Sequence, residues 1–132
     1  MGIIEKLRLD GKTAFVTGGA RGIGKSVATA FCEAGADVAI VDIDPDEAEK
    51  TAAALAAGTG ARTLAVRADV TDPADVDAMM ASILARYGKL DVAFCNAGIC
   101  RNIPAEEMSY EQWRSVVDVN LTGVFLTAQA AG

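Results

Sequence analysis

Short apolar, β-branched runs alternate with longer stretches of helical period along the chain, and no linker or low-complexity segment breaks the alternation. The runs are Thr13–Thr17 (TAFVT), Asp37–Asp42 (DVAIVD), Thr63–Ala68 (TLAVRA) and Asp91–Cys95 (DVAFC). Near-continuous apolarity is what parallel strands covered on both faces require, so each run is read as a buried strand. After the first strand, Ile23, Val27 and Phe31 recur every four residues and predict a helix ending at Gly35. After the second, Asp44-Pro45-Asp46-Glu47 supplies an N-cap, a proline at the first helical position and an acid at the third, with Gly58 closing the helix. Thr71-Asp72-Pro73 opens the next, with Val76, Met79, Met80, Ile83, Leu84 and Tyr87 on one face and Gly88 as its stop. A loop, Asn96–Met108, then leads to a helix that Ser109 and Gln112 open as a capping box. Its apolar stripe is predicted to be Trp113, Val116, Val117, Leu121, Val124 and Phe125, with Asn120 on the same stripe.

Every crossover is long enough for a right-handed βαβ turn, so one α/β unit is expected. The last helix is still running at Gly132, just after an apolar strand has been placed at the end of the sheet. Residues 1–132 are therefore expected to be the amino-terminal part of a single larger domain, ending inside the helix that contains Asn120.

Composition narrows the chemistry. At 132 residues the chain suffices for one packed domain. Twelve Lys and Arg against 18 Asp and Glu give a net charge of −6 with no basic block, which argues against an electrostatic grip on nucleic acid or an anionic membrane. The absence of histidine removes His-centred triads and the His-bearing zinc sites. Cys32, Cys95 and Cys100 are odd in number and show no CxxC spacing, so reduced thiols are expected rather than a disulfide framework or a metal site. No apolar run approaches the roughly 20 residues of a membrane span. The first ten residues carry no signal-peptide core, and MGIIEK fails the myristoylation pattern. A soluble, cytoplasmic protein is expected.

Two features carry chemistry by position. Thr17-Gly18-Gly19-Ala20-Arg21-Gly22-Ile23-Gly24 lies directly between a strand and a helix. Glycines at 18, 22 and 24 let the backbone turn sharply and approach a pyrophosphate, whose charge suits the free N–H groups at a helix start. The spacing is G-x-x-x-G-x-G rather than G-x-G-x-x-G, and a glycine-rich turn also serves as a plain connector. Its place after the first strand favours the binding role. Asp42 ends the second strand, 18 residues beyond Gly24. A carboxylate there can accept both hydroxyls of an adenosine ribose and repel a 2′-phosphate, although a strand-terminal acid or a cap partner for the following helix would look the same. Arg21 is the counter-signal, because its guanidinium can reach a 2′-phosphate. NAD is favoured, with NADP left open.

The TGGARGIG loop, Asp69-Val70 after the third strand, Asn96-Ala97-Gly98 after the fourth and Asn120 within DVNLTG together resemble the pattern of the short-chain dehydrogenase/reductase family, over essentially the whole chain. The resemblance implies a Rossmann-type doubly wound parallel sheet, here partial, with strand order 3-2-1-4. It implies that Gly18, Gly22, Ile23 and Gly24 line a pyrophosphate, that Asp42 and Ile43 hold the adenosine ribose, and that Asp69 and Val70 meet the adenine. Asn96-Ala97-Gly98 would steady the sheet and touch the cofactor, although an Asn-Gly turn is sufficient reason for those residues. Asn120 would order a water in the proton relay to a catalytic lysine; the alternative is a core asparagine satisfied by backbone.

The family's serine and Tyr-x-x-x-Lys pair are expected beyond Gly132. Tyr110-x-x-x-Arg114 lies in the wrong place and offers an arginine, which does not relay protons near neutral pH. The implied activity is NAD(H)-dependent interconversion of a secondary alcohol and a ketone by a homo-oligomer, dimer or tetramer, with these 132 residues alone inactive. Cys100, Arg101 and Asn102 are expected to wall the substrate cleft, and their polarity suggests a sugar or polyol. The competing reading is a non-catalytic dinucleotide-binding or sensing protein on the same fold. A methyltransferase-type fold is opposed by Asn120 and the Asn96 turn.

Overall fold

Strand β1 (Thr13–Thr17) is buried at all five positions, and it lies between β2 (Asp37–Asp42) and β4 (Val92–Phe94) in the computed structural model, which describes Met1–Gly132. With β3 (Thr63–Arg67) on the far side of β2, the strands form one parallel sheet in the order β3-β2-β1-β4, as the resemblance implies. Phe15 stands beside Ala39 and Ala93, and Asp42 beside Arg67.

Alternation along the strands feeds two cores. Ala14, Val16, Val38 and Ile40 pack against α2 (Gly22–Glu33) and α3 (Pro45–Thr59), while Phe15, Ala39 and Val41 pack against α4 (Pro73–Tyr87). Helices therefore cover both faces, as a doubly wound sheet requires. A short helix, α1 (Ile3–Lys6), precedes β1 and has no buried residue.

Two strands end earlier than the apolar runs suggest. The third stops at Arg67 rather than Ala68, although the Ala68 N–H still donates to the Asp42 carbonyl (3.1 Å). The fourth is three residues, and at its flanks side chains join the bonding to β1, beside the backbone bond from the Asp91 N–H to the Thr13 carbonyl (2.9 Å). Asp91 Oδ2 accepts the Thr13 N–H (2.9 Å), and at the other end the Asn96 N–H donates to Thr17 Oγ1 (2.9 Å).

Helix ends follow their caps. Asp44 Oδ1 accepts the Glu47 N–H (3.2 Å) with Pro45 at the first turn, and Asp72 Oδ1 accepts the Ala74 N–H (2.9 Å). Helix α2 closes with the Ala36 N–H on the Phe31 carbonyl and the Gly35 N–H on the Cys32 carbonyl, both at 3.0 Å. Helix α3 runs past Gly58 to Thr59 and is closed by Gly60, whose φ of +77° is the left-handed value such an end needs.

The buried faces of two helices differ from the predicted stripes. In α2 the buried residues are Gly24, Ala28 and Cys32, Val27 and Phe31 are half-buried, and Ile23 is 76% exposed. The period is as predicted, but the face is displaced by one residue, because small side chains let the helix sit close on the sheet. In α4 the stripe holds except at Leu84, which is exposed.

The last helix opens with the predicted capping box: Ser109 Oγ accepts the Gln112 N–H (3.1 Å), and Gln112 Oε1 accepts the Ser109 N–H (2.9 Å). It comprises α5 (Tyr110–Val117), a π-helical turn over Asp118–Thr122, and α6 (Gly123–Ala131). A π turn accommodates an extra residue, which rotates the downstream helix by about 100° at 3.6 residues per turn. Gly123 and Thr127 consequently face inward, while Leu121 is 68% and Phe125 59% exposed, with Val124 also exposed. The predicted stripe is thus overturned beyond Val117, and before it Trp113 is also 51% exposed, so that only Val116 and Val117 are half-buried.

No helix is long and apolar enough to cross a membrane. Cys32, Cys95 and Cys100 are free, and burial pushes the Cys32 thiol up to about 11.

Candidate functional site

Past the carboxyl ends of β1, β2 and β4 lies a cleft of about 590 Å³, within the usual range for small-molecule sites. The structure brings Gly18, Arg21, Ile23, Asp42, Ile43, Asp69, Val70, Asn96, Ala97 and Gly98 to its wall. Gly22, Gly24 and Asn120 are the predicted site residues that do not line it.

The glycine loop is held from several sides. The Gly19 N–H donates to the Val41 carbonyl (3.1 Å), and the Ala20 N–H to Asp42 Oδ2 (3.2 Å). Thr51 on α3 donates its buried hydroxyl to the Ala20 carbonyl (2.7 Å). Asn96 Nδ2 donates to the Thr17 carbonyl (3.1 Å), while Thr17 Oγ1 accepts the N–H groups of Asn96 (2.9 Å) and Ala97 (3.0 Å). The Asn96 turn is therefore a clasp between β4 and the glycine loop.

Gly24 acts from behind the cleft. A Cβ there would stand 2.1 Å from the Gly18 carbonyl oxygen, so helix and loop touch backbone to backbone. The first helical N–H to bond is that of Lys25, to the Arg21 carbonyl (3.3 Å). Those of Gly22, Ile23 and Gly24, in the first turn, have no helical carbonyl to reach.

Asp42 Oδ1 accepts the Asp44 N–H (3.1 Å), and with Oδ2 on Ala20 each oxygen retains lone-pair capacity. Arg21 reaches across the cleft mouth to Asp44 Oδ2 (2.8 Å). The Asp44 carboxyl is held below its usual range by the Glu47 N–H and by Arg21. Asp69 Oδ1 accepts the Thr71 hydroxyl (2.7 Å) and N–H (3.0 Å), which likewise lowers its pKa. Val70 is buried beneath Gly123, where a Cβ would come 2.6 Å from Val70 Cγ2.

Asn120 stands in the π turn. Its Oδ1 accepts the Ile99 N–H (2.8 Å) and its Nδ2 donates to the Ile99 carbonyl (2.9 Å), stitching the loop after Gly98 to the helix. The side chain is satisfied by backbone, yet the residue is exposed rather than in the core. Cys100, Arg101 and Asn120 line a second, smaller groove of about 290 Å³, whereas Asn102 does not. Arg101 Nε donates to Ser115 Oγ (3.1 Å). Tyr110 is exposed beside Trp113, and Arg114 pairs with Asp118 (2.9 Å), so the two do not form an acid–base pair.

Thr51 and Asp44 escaped the sequence reading of the site, and Thr17 entered it only as the first residue of the glycine motif, without a role of its own. The available signals were a polar residue closing an otherwise apolar strand and a lone threonine on the Ala48, Ala52 and Leu55 face of α3.

Residues 12–132 match the short chain dehydrogenase family model. The chain is 43% identical over 125 residues to D-threitol dehydrogenase of Mycolicibacterium smegmatis, covering 95% of this chain and 48% of that enzyme. It is 40% identical over 124 residues to sorbitol dehydrogenase of Cereibacter sphaeroides, covering 94% and 47%. A solved short-chain type dehydrogenase/reductase from Mycobacterium marinum superposes with a TM-score of 0.95 at 42% identity, covering 99% of this chain and 53% of that one. The chain belongs to the short-chain dehydrogenase family and spans about half the length of these relatives.

Such dehydrogenases use a nicotinamide cofactor, and the cleft fits one. Free N–H groups at the start of α2 suit a diphosphate, and Asp42 suits a pair of hydroxyls.

Proposed function

We propose that this chain is the coenzyme-binding half of an NAD(H)-dependent oxidoreductase that interconverts a secondary alcohol and a ketone, with polyols as the substrate class. The observation that carries the coenzyme choice is Asp42, whose carboxylate stands at the cleft wall between the glycine loop and Asp44. The polyol class rests on the names of the threitol and sorbitol enzymes; in the second groove Arg101 and Asn120 are the polar groups of an otherwise apolar lining.

The bound nicotinamide supplies the hydride acceptor or donor. When the coenzyme is bound, the first turn of α2 would hold the diphosphate, Asp42 and Ile43 would orient the adenosine ribose, and Asp69 and Val70 would border the adenine. Asn120 holds the Ile99 loop and, through its remaining N–H and lone-pair capacity, a relay water. By the family resemblance, a serine and a Tyr-x-x-x-Lys pair handle the hydroxyl proton in the half of such enzymes that this chain does not span, and residues 1–132 alone are proposed to be inactive. The exposed Leu121, Val124 and Phe125 are proposed to be covered by a second copy; an intact protein that sediments only as a monomer would remove that part.

The test is coenzyme preference in the intact enzyme. Asp42→Ala is expected to shift the ratio of NAD to NADP efficiency toward NADP by at least tenfold, on the order of 1.4 kcal/mol. An unchanged ratio refutes the assignment. NAD binding with no turnover of any polyol or other secondary alcohol would instead favour a sensor on this fold.

A further inference from the structure

Arg21 is the sole cationic side chain on the wall of the cleft, where it stands with Asp42, Asp44 and Asp69. Its guanidinium is already engaged, with Nη2 2.8 Å from Asp44 Oδ2. Asp44 in turn donates its N–H to Asp42 Oδ1 (3.1 Å), and Asp42 Oδ2 accepts the Ala20 N–H (3.2 Å). Two adjacent residues of the glycine loop, Ala20 and Arg21, are therefore tied to two neighbouring carboxylates just beyond β2. From this arrangement we infer that Asp44 is a second determinant of coenzyme choice, a positioning residue that holds Arg21 away from a 2′-phosphate.

The inference rests on the reading that Asp42 faces the adenosine ribose, and it goes beyond it. A 2′-phosphate entering beside Asp42 meets one carboxylate that repels it and one guanidinium that would attract it. With Asp44 in place, that guanidinium is neutralised and turned toward α3. Removing Asp42 alone lifts the repulsion but leaves the cation occupied. Because the Arg21 side chain is 64% exposed, it is free to turn toward an entering phosphate once the Asp44 carboxylate is gone. The other oxygen of Asp44 caps α3 through the Glu47 N–H (3.2 Å), a role that asparagine performs about as well as aspartate. Asp44→Asn therefore removes the charge while keeping the cap.

The test is a binding cycle read by NADPH dissociation constants, from fluorescence of the bound reduced coenzyme in the intact protein. Asp42→Ala is the starting background. Adding Asp44→Asn is expected to tighten NADPH at least fivefold, and adding Arg21→Ala as well is expected to cut that gain below twofold. Thermal melts of each variant verify that the α3 cap survives. If Asp44→Asn gives no gain in a background where Asp42→Ala has already shifted preference, this inference fails and the Asp42 assignment stands. A gain that persists without Arg21 also overturns it, because Asp44 would then act as a bare charge. If Asp42→Ala itself shifts nothing, the coenzyme reading fails first.

Discussion

Gly24→Ala is expected to destabilise the protein by roughly 3 kcal/mol and to abolish coenzyme binding, the upper end of what a single added methyl costs in a packed interior. The added Cβ would lie 2.1 Å from the Gly18 carbonyl oxygen, 2.8 Å from the Gly18 carbonyl carbon and 2.7 Å from Asn96 Nδ2. Two of those atoms are backbone, and the third belongs to the side chain that clasps Thr17, so no flexible group can yield. Relief requires α2 to lift from the loop, which displaces the N–H groups offered to the diphosphate. Gly58→Ala is the matched control, since position 58 is also helical but has nothing within 4 Å of its Cβ. There the same change is expected to stabilise by about 0.5–1 kcal/mol, through loss of unfolded-state freedom. Urea unfolding and coenzyme titration of both variants check the pair; equal effects at the two positions would refute the contact argument.

Asn120→Ala is expected to lower turnover on the order of a hundredfold while leaving NAD affinity within a few-fold. The structure shows why stability should change little. The two groups released, the Ile99 N–H and carbonyl, belong to an exposed residue and can rehydrate, so about 1 kcal/mol is at stake. What water cannot replace is the fixed amide in the π turn and the order it gives the proposed relay. Steady-state kinetics and coenzyme titration in the intact enzyme separate the roles. If affinity and thermal stability fall together with turnover, Asn120 is only the stitch between loop and helix.

The parts of the fold legible in the sequence were those set by local chemistry. Apolar runs located all four strands, and the Asp44, Asp72 and Ser109 caps placed three helix starts, because a cap is a contact between residues two or three apart. The displaced face of α2 was hidden because Gly24, Ala28 and Cys32 carry little hydrophobic signal beside Ile23, Val27 and Phe31. Gly58 reads as the helix end, but Gly60 two residues on closes it, and the sign of its backbone angle is not legible in the sequence. The glycine loop and Asp42 could be read from spacing. The Thr17 to Asn96 clasp joins residues 79 apart, and the Arg21 to Asp44 pair residues 23 apart, so no local pattern announces either.

The π turn at Asp118–Thr122 also breaks an inference commonly drawn along helices. Val117 and Leu121 are four apart, the spacing that normally marks neighbours on one face, yet Val117 is half-buried and Leu121 exposed. Side-chain positions in α6 are therefore out of step with those in α5. One continuous rod carries two separate angular scales, and a residue's neighbours must be counted from its own side of the join.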